Sequence, residues 1–269
     1  MSDDQPLLVE DRDRVRWLWF NRPRVRNAQN TAMLEALERA LDDTRRTASI
    51  DALVLAGKGA AFSAGHDLKE IVANPDYAAA IATAEGRWRW EDRLFVRPIQ
   101  MLRELAIPTI CRVQGHCVAA GLMFAASTDF VVASNDATFS SPIIPRMAIN
   151  DAEVPAFAWL LGERRAKQLL WLGETLGAEE ARAVGLVNWV VAPDELDAKI
   201  DQITGRLLAI PSETLAMSKA TFRFMADRRG YRDTVDFHFM AHSLSHQTSG
   251  AKAAVEQREK DISKGGSAT

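Results

Sequence analysis

Two short apolar runs, Ala52 to Ala56 and Thr109 to Val113, each pass through a glycine-bearing loop into a helical pattern. That repeated order restricts the chain to an α/β core. The loops are GKGAAFSAGHDLKE and QGHCVAAGLMFAAS. Around them, Val15 to Phe20 has the tryptophan-rich, β-branched composition of a strand. The turn NRPRVRNAQN follows, and then Thr31 to Arg46, where Met33, Leu34, Leu37 and Leu41 recur at helical spacing. DFVVAS is a fourth strand. From Phe157 onward the pattern turns helical: Phe157 to Leu172, Ala178 to Val184, Glu195 to Ala209, Glu213 to Arg228, Thr234 to His246 and Ala251 to Ser263, with one short strand from Val187 to Val191. The expected division is a core over residues 1–200 and a C-terminal helical oligomerisation domain over 201–269, whose amphipathic helices would bury their apolar stripes against the core or another subunit.

Composition narrows the function classes. With 269 residues, 47% of them hydrophobic, the chain can bury a sizeable core. A formal charge of -3 gives no excess positive field for nucleic acid or an anionic membrane. Cys111 and Cys117 lack the paired spacing of a zinc site and are too few for a disulfide framework, which fits a reducing cytoplasm. The acidic start MSDDQPLLVEDRDR is unlike a secretory leader, and no apolar run reaches roughly 18 residues, so a soluble cytoplasmic protein is expected.

Both glycine-bearing loops are built to bring bare backbone close to a ligand. Gly65 permits a close approach just before a helix that starts near Asp67, and Ala119, Ala120 and Gly121 keep bulky side chains away from a second helix start. Two such N–H groups aimed at one carbonyl oxygen form an oxyanion site. The alternative is that Gly65 makes a turn, Asp67 caps a helix and the small residues serve tight packing.

The succession NRPRVRNAQN, GKGAAFSAGHDLKE, QGHCVAAGLMFAASTDFVVAS, ATFSSP and LLGERRAKQLLWLGETLGAEEARAVGLVNWVV resembles the enoyl-CoA hydratase/isomerase (crotonase) family over about residues 10 to 260. The resemblance implies a spiral of strand–strand–helix turns with a C-terminal helical domain, assembled as trimers or dimers of trimers. It implies an acyl-CoA thioester substrate whose carbonyl lies between the backbone N–H groups of His66 and Ala120, with coenzyme A as part of the substrate and no separate cofactor. At Ala120 the family usually has glycine; alanine keeps the N–H provided the local backbone is helical or extended. By position, Arg24 and Arg26 would approach the CoA phosphates, Ala64, Gly65, Asp67 and Leu68 would follow the adenine, and Lys260 with Arg258 would reach a phosphate. Gly121 adjoins the acyl group.

The pattern departs from the hydratases at the two glutamates that activate water. Their positions hold Met123 and Ile143, which cannot move protons and are left to line the substrate. Eight residues beyond Ile143 stands Asp151, where the family's dienoyl-CoA isomerases and 4-chlorobenzoyl-CoA dehalogenases carry an aspartate, so Asp151 is the candidate base or nucleophile. Its other reading is a helix cap, and Glu153 is a second candidate acid whose expected place is that helix's first turn. The imidazole of His66 is expected to pack along the ligand or face solvent. His116 should lie near the acyl pocket. His238, His242 and His246 share a helix face, with no carboxylate completing a metal site, so a subunit interface is their expected use and no metal is expected. Trp88, Trp90 and Phe95, within the stretch from Ile71 to Val96, would wall the acyl pocket or pack the core. The expected activity is that of a lyase or isomerase acting on an enoyl-CoA. The alternatives are hydrolysis of a thioester or carbon–carbon bond, a silent acyl-CoA-binding paralogue, or RNA binding, against which the absence of a basic helix speaks.

Overall fold

The computed structural model describes residues 5–263. In chain order its strands are β1 (Leu7–Arg12), β2 (Val15–Phe20), β3 (Ala52–Gly57), β4 (Thr109–Val113), β5 (His116–Val118), β6 (Phe130–Ser134), β7 (Thr138–Ser140), β8 (Thr175–Gly177) and β9 (Trp189–Val191). Six of them form one sheet in the order β1-β2-β3-β4-β6-β9. It is parallel throughout except for the β1–β2 hairpin, while β5, β7 and β8 make a small second sheet. Every residue of β2 and β3 is buried, which is why these strands are almost continuously apolar rather than alternating. β1, half-exposed along the edge and rich in charge, is absent from the pattern read in the sequence.

Helices cover both faces of the large sheet. They are α1 (Thr31–Arg46), α2 (Leu68–Ala73), α3 (Pro75–Ala80), α4 (Ala84–Glu91), α5 (Arg97–Glu104), α6 (Ala120–Ala125), α7 (Ile143–Met147), α8 (Ala156–Leu161), α9 (Glu163–Leu172), α10 (Ala178–Ala183), α11 (Leu196–Leu208), α12 (Ser212–Arg228), α13 (Tyr231–Ser245) and α14 (Ser249–Ser263). On one face Leu18, Phe20, Leu53 and Leu55 pack with Met33, Leu37 and Leu41 of α1; on the other, Trp17, Val54 and Ile110 pack with Leu196 and Ile200 of α11. The expected helix from Phe157 to Leu172 is two helices, because Gly162 at φ +74° breaks it. A π-helical turn, Asp92–Val96, joins α4 to α5. Pro98, lacking an N–H, sits at the start of α5 where the hydrogen-bond ladder is already interrupted. The C-terminal helices leave Met217, Phe222, Phe224, Phe237, Met240 and Leu244 more than half exposed.

The loops after β3 and β5 meet edge to edge. Ser63 pairs with Cys117, giving Ser63 N–H to His116 O at 3.1 Å and Val118 N–H to Ser63 O at 2.9 Å. Gly65, at φ +88°, faces the second loop so closely that a Cβ there would lie 3.0 Å from Val118 O and 3.2 Å from Ala119 Cβ, so a side chain would push the second loop back and be strained at that φ. Polar side chains of the NRPRVRNAQN turn brace the junction from behind. The Asn27 amide bonds Lys58 O and Ala61 O, the Gln29 amide bonds Ser63 Oγ, and Ser63 Oγ bonds Asn27 O.

On the other side of the junction Ala119 is held at φ 49°, ψ -113°, a conformation suited to glycine, by its N–H bond to Ser140 O and by the start of α6. An Ala119→Gly variant should therefore be more stable than the wild type by about 1 kcal/mol, the conformational strain released exceeding the entropy of the freer unfolded chain. A higher urea midpoint at unchanged slope is the expected result, and an unchanged or lower midpoint speaks against strain at Ala119.

Candidate functional site

A cavity of about 360 Å³ opens beside this junction, lined by His66, Ala119, Ser140, Ile143, Asp151 and Glu153 among others. Ala120 is the first residue of α6, so its N–H lies outside the helix's own ladder, and Ala120 meets the sequence condition of a helical backbone. Gln29 N–H bonds Gly65 O and Asp67 N–H bonds Gln29 O. In such a parallel bridge the intervening residue points its own N–H the other way, so that of His66 faces the Cys117–Ala119 edge. His66 and Ala119 line the cavity, while Ala120 is fully buried just behind Ala119, and a Cβ on Gly65 would stand 3.4 Å from Ala120 N.

Asp151 lies in this cavity, 1% exposed and at φ 50°, a conformation that aspartate tolerates better than most residues. Its Oδ1 accepts a 2.6 Å bond from Ser141 Oγ, while Oδ2 is buried without a partner. Burial pushes its carboxyl up to about 7, against the opposing pull of the Ser141 hydroxyl and the Ala152 N–H. The helix-cap reading is overturned. α8 begins only at Ala156, behind Pro155, so neither Asp151 nor Glu153 stands in its first turn. Glu153 instead enters the cavity, its Oε2 accepting from His66 Nε2 at 3.3 Å. Burial would raise its pKa, but His66 and His242 outweigh that and hold it down at about 2.

The His66 imidazole therefore lines the cavity rather than facing solvent, and it stacks on Phe95 at 3.9 Å between ring centroids. The histidines of α13 also face inward. His238 Nε2 donates to Ala152 O at 2.7 Å and His242 Nδ1 to Asp151 O at 2.8 Å, pinning the loop that carries both carboxylates. His242 is 1% exposed, so the subunit-interface expectation does not hold for it. Burial alone would lower its pKa, yet Glu91 and Glu153 raise it to about 9, while burial and His242 together push His246 down to about 4. A carboxylate does stand beside these rings: Glu91, at the end of α4, approaches His242 Nε2 at 3.5 Å and His246 Nε2 at 3.8 Å. Sequence spacing carries no sign of it, because α4 and α13 meet only through tertiary packing.

Of the other residues singled out, Arg26, Ala64, Leu68, His116 and Ile143 also line the cavity. Asp67 is engaged elsewhere: its Oδ2 pairs with Arg22 at 2.7 Å and its Oδ1 accepts from Glu70 N–H at the start of α2, which is the capping role. Met123 is fully buried behind the cavity, its Sδ accepting from Val154 N–H, so it does not line it as expected. Gly121 packs against Ser63 O, where a Cβ would come within 2.9 Å. Arg24 is exposed on the short 3-10 turn Pro23–Val25, and Lys260 is exposed on α14. The side chain of Arg258 and residues 264–269 lie outside what the structure describes. Phe95 walls the cavity as expected of that stretch, but Trp88 packs on Phe239 and Trp90 on Tyr77, so these two tryptophans serve packing. No helix among the described residues is long and apolar enough to cross a membrane.

Known proteins share this architecture. The chain is 31% identical to EchA13 of Mycobacterium tuberculosis, named for the enoyl-CoA hydratases, over 88% of this chain and 78% of that one. It is 31% identical to 4-chlorobenzoyl coenzyme A dehalogenase-1 of an Arthrobacter species, over 81% and 78%. A crystal structure from Mycobacterium thermoresistibile, titled as an enoyl-CoA hydratase, superposes with a TM-score of 0.84 at 30% identity, covering 94% of this chain and all of that one. The model of the enoyl-CoA hydratase/isomerase family matches residues 10–264, and with the two loops joined at Gly65 and Ala119 the chain belongs to that family.

Proposed function

We propose that this chain is an acyl-CoA enzyme that holds a thioester carbonyl between the N–H groups of His66 and Ala120 and moves protons, or attacks, with Asp151. The observation that carries the reading is the partnerless Oδ2 of Asp151, buried in the cavity that His66 and Ala119 line. A backbone donor pair stabilises negative charge on the thioester oxygen whether the intermediate is an enolate or a tetrahedral adduct. It needs no further cofactor for that task. A carboxylic acid that titrates near neutrality suits proton transfer in either direction. Met123 and Ile143 leave the two-glutamate hydration route without its groups. The reactions in view are therefore double-bond migration or water addition run by Asp151, with the Glu153–His66 pair as the nearest second proton carrier.

Hydrolysis is the second reading, favoured by the similarity to a protein named as a 4-chlorobenzoyl coenzyme A dehalogenase: the Asp151 carboxylate would attack the thioester carbon and expel the CoA thiolate, which takes up a proton, and water would then cleave the acyl–Asp151 bond to release the acid and restore the carboxylate. The CoA end would leave past Arg26 at the cavity rim, with Arg24, Asp67, Leu68 and Lys260 as the further CoA contacts proposed. The exposed apolar faces of α12 and α13 would be covered by other copies in a trimer or a dimer of trimers. The free, buried thiols of Cys111 and Cys117 support a reducing, cytoplasmic setting.

Incubation with crotonyl-CoA, a dienoyl-CoA and a ring-bearing acyl-CoA tests the reading. One of the three should turn over, and Asp151→Asn should lower kcat by at least about 100-fold while leaving thioester affinity nearly unchanged. Tight binding with no turnover of any substrate would instead identify a silent acyl-CoA-binding paralogue. Stability supplies an independent check. Asp151 keeps its proton to about pH 7 in the fold but ionises near the ordinary 3.8 when unfolded. The fold therefore binds more protons across that window, and its stability falls as pH rises through it. Asp151→Asn removes this loss, so its unfolding free energy relative to wild type should increase between pH 5 and pH 8, by up to ~3 kcal/mol. A difference independent of pH contradicts a buried, proton-holding Asp151. In sedimentation, wild type should run as a trimer or hexamer and Phe237→Glu as smaller species; a monomeric wild type refutes the assembly.

A further inference from the structure

We propose that Glu91, His242 and His246 form a binding site for a divalent first-row transition metal, zinc foremost, open to the same cavity. All three line that cavity, and one ligand atom from each falls within a 4.8 Å cluster. His242 and His246 stand one helical turn apart on α13 with their Nε2 atoms 3.3 Å from each other, and Glu91 reaches in from the junction of α4 with the π-helical turn. Glu91 Oε2 is buried, aimed at His242 Nε2 and without a hydrogen-bond partner.

The tautomer of His242 is set by its surroundings. Nδ1 faces the Asp151 carbonyl, which only accepts, so Nδ1 carries the proton and Nε2 of the neutral ring turns its lone pair into the cluster. Arg87 fixes the other oxygen of Glu91 at 2.9 Å. A lone pair of His242 and a carboxylate oxygen of Glu91 thus face one another beside His246, and the pocket between them requires positive charge. A proton on His242 Nε2 supplies charge but bonds poorly, since its neighbours stand at 3.3 Å (His246), 3.5 Å (Glu91) and 3.8 Å (Glu153). Charge-assisted N–H···O bonds run at about 2.7–2.9 Å. A tetrahedral metal with bonds of about 2.0–2.1 Å holds its ligand atoms about 3.3–3.4 Å apart, which matches the His242–His246 and His242–Glu91 spacings of 3.3 and 3.5 Å, and binding would draw in the wider part of the cluster, which spans up to 4.8 Å. Two histidines and one carboxylate leave a fourth position, directed at the cavity or taken by Glu153.

Metal uptake is measured without any thioester, so its failure and that of the proposed acyl-CoA chemistry are separable. The full-length protein, stripped by dialysis against a chelator, is titrated with Zn²⁺ by calorimetry and with Co²⁺ by absorption. One ion per chain and the intense visible bands of tetrahedral cobalt are expected. His246→Ala should weaken binding by more than the ~100-fold that loss of an outer-shell partner brings. Asp236→Asn, on the exposed side of the same helix, should leave affinity unchanged. Glu91→Gln strips Arg87 of its partner and risks unfolding, so the less buried His246 carries the test and circular dichroism verifies each fold. Absence of saturable uptake, or His246→Ala binding like wild type, overturns the site and leaves a protonated His242 as the charge in the cluster.

Discussion

The close seating of Gly65 against the Val118–Ala119 backbone is the constraint on which the rest of the site depends. It leaves only tight space for a side chain and brings two helix-start loops together. Beside it Ala119 holds a glycine-like conformation, fixed by its N–H bond to Ser140 O and the start of α6. Such a junction has little apolar surface of its own, so its position is held by directed bonds: Asn27, Gln29 and Ser63, all buried, tie the NRPRVRNAQN turn to the loop after β3. The turn that by resemblance carries CoA-binding arginines has, in this structure, the additional work of bracing backbone. That economy suits an electrostatic site, because donors held in advance need no reorganisation when charge develops.

Opposite the rim the cavity gathers an unusual amount of buried charge. Asp151, Glu153 and Glu91 face His66, His242, His246 and Arg87 with little solvent among them. Buried carboxylates persist only when paired, neutralised or bound to a cation, and each of these three meets that demand differently. Glu153 stays ionised against His66 and His242, Asp151 keeps its proton to about neutrality, and Glu91 divides its oxygens between Arg87 and the α13 imidazoles. One chain segment, residues 149–154, thereby presents two acids of opposite character, held by carbonyl bonds to His238 and His242.

Much of this was legible in the sequence where local chemistry decides. The parallel strands showed as apolar runs because both their faces are buried, and the two loops showed through their small residues. Short strands were not legible: β5, β7 and β8 have three residues each, too few for a period to emerge. β1 was hidden by the charges of an exposed edge. The assignment of Glu153 to a helix failed because Pro155 delays α8 to Ala156. Met123 was expected at the substrate from its place in the motif, but α6 turns it into the core, where its sulfur accepts from Val154 N–H. Glu91 was beyond reach altogether, because what matters about it is its distance from α13, which only the packed chain defines.

The central claim is that two main-chain donors polarise one thioester carbonyl, and vibrational spectroscopy reads that directly. With an acyl-CoA carrying ¹³C at the thioester carbon, isotope-edited infrared difference spectra report the carbonyl stretch in the bound state. The account predicts a stretch at lower frequency than in water for the wild-type complex. The displacement should persist in Asp151→Asn, which leaves both main-chain donors in place. A bound carbonyl that absorbs as it does in water, or a shift that vanishes with the Asp151 carboxyl, contradicts it.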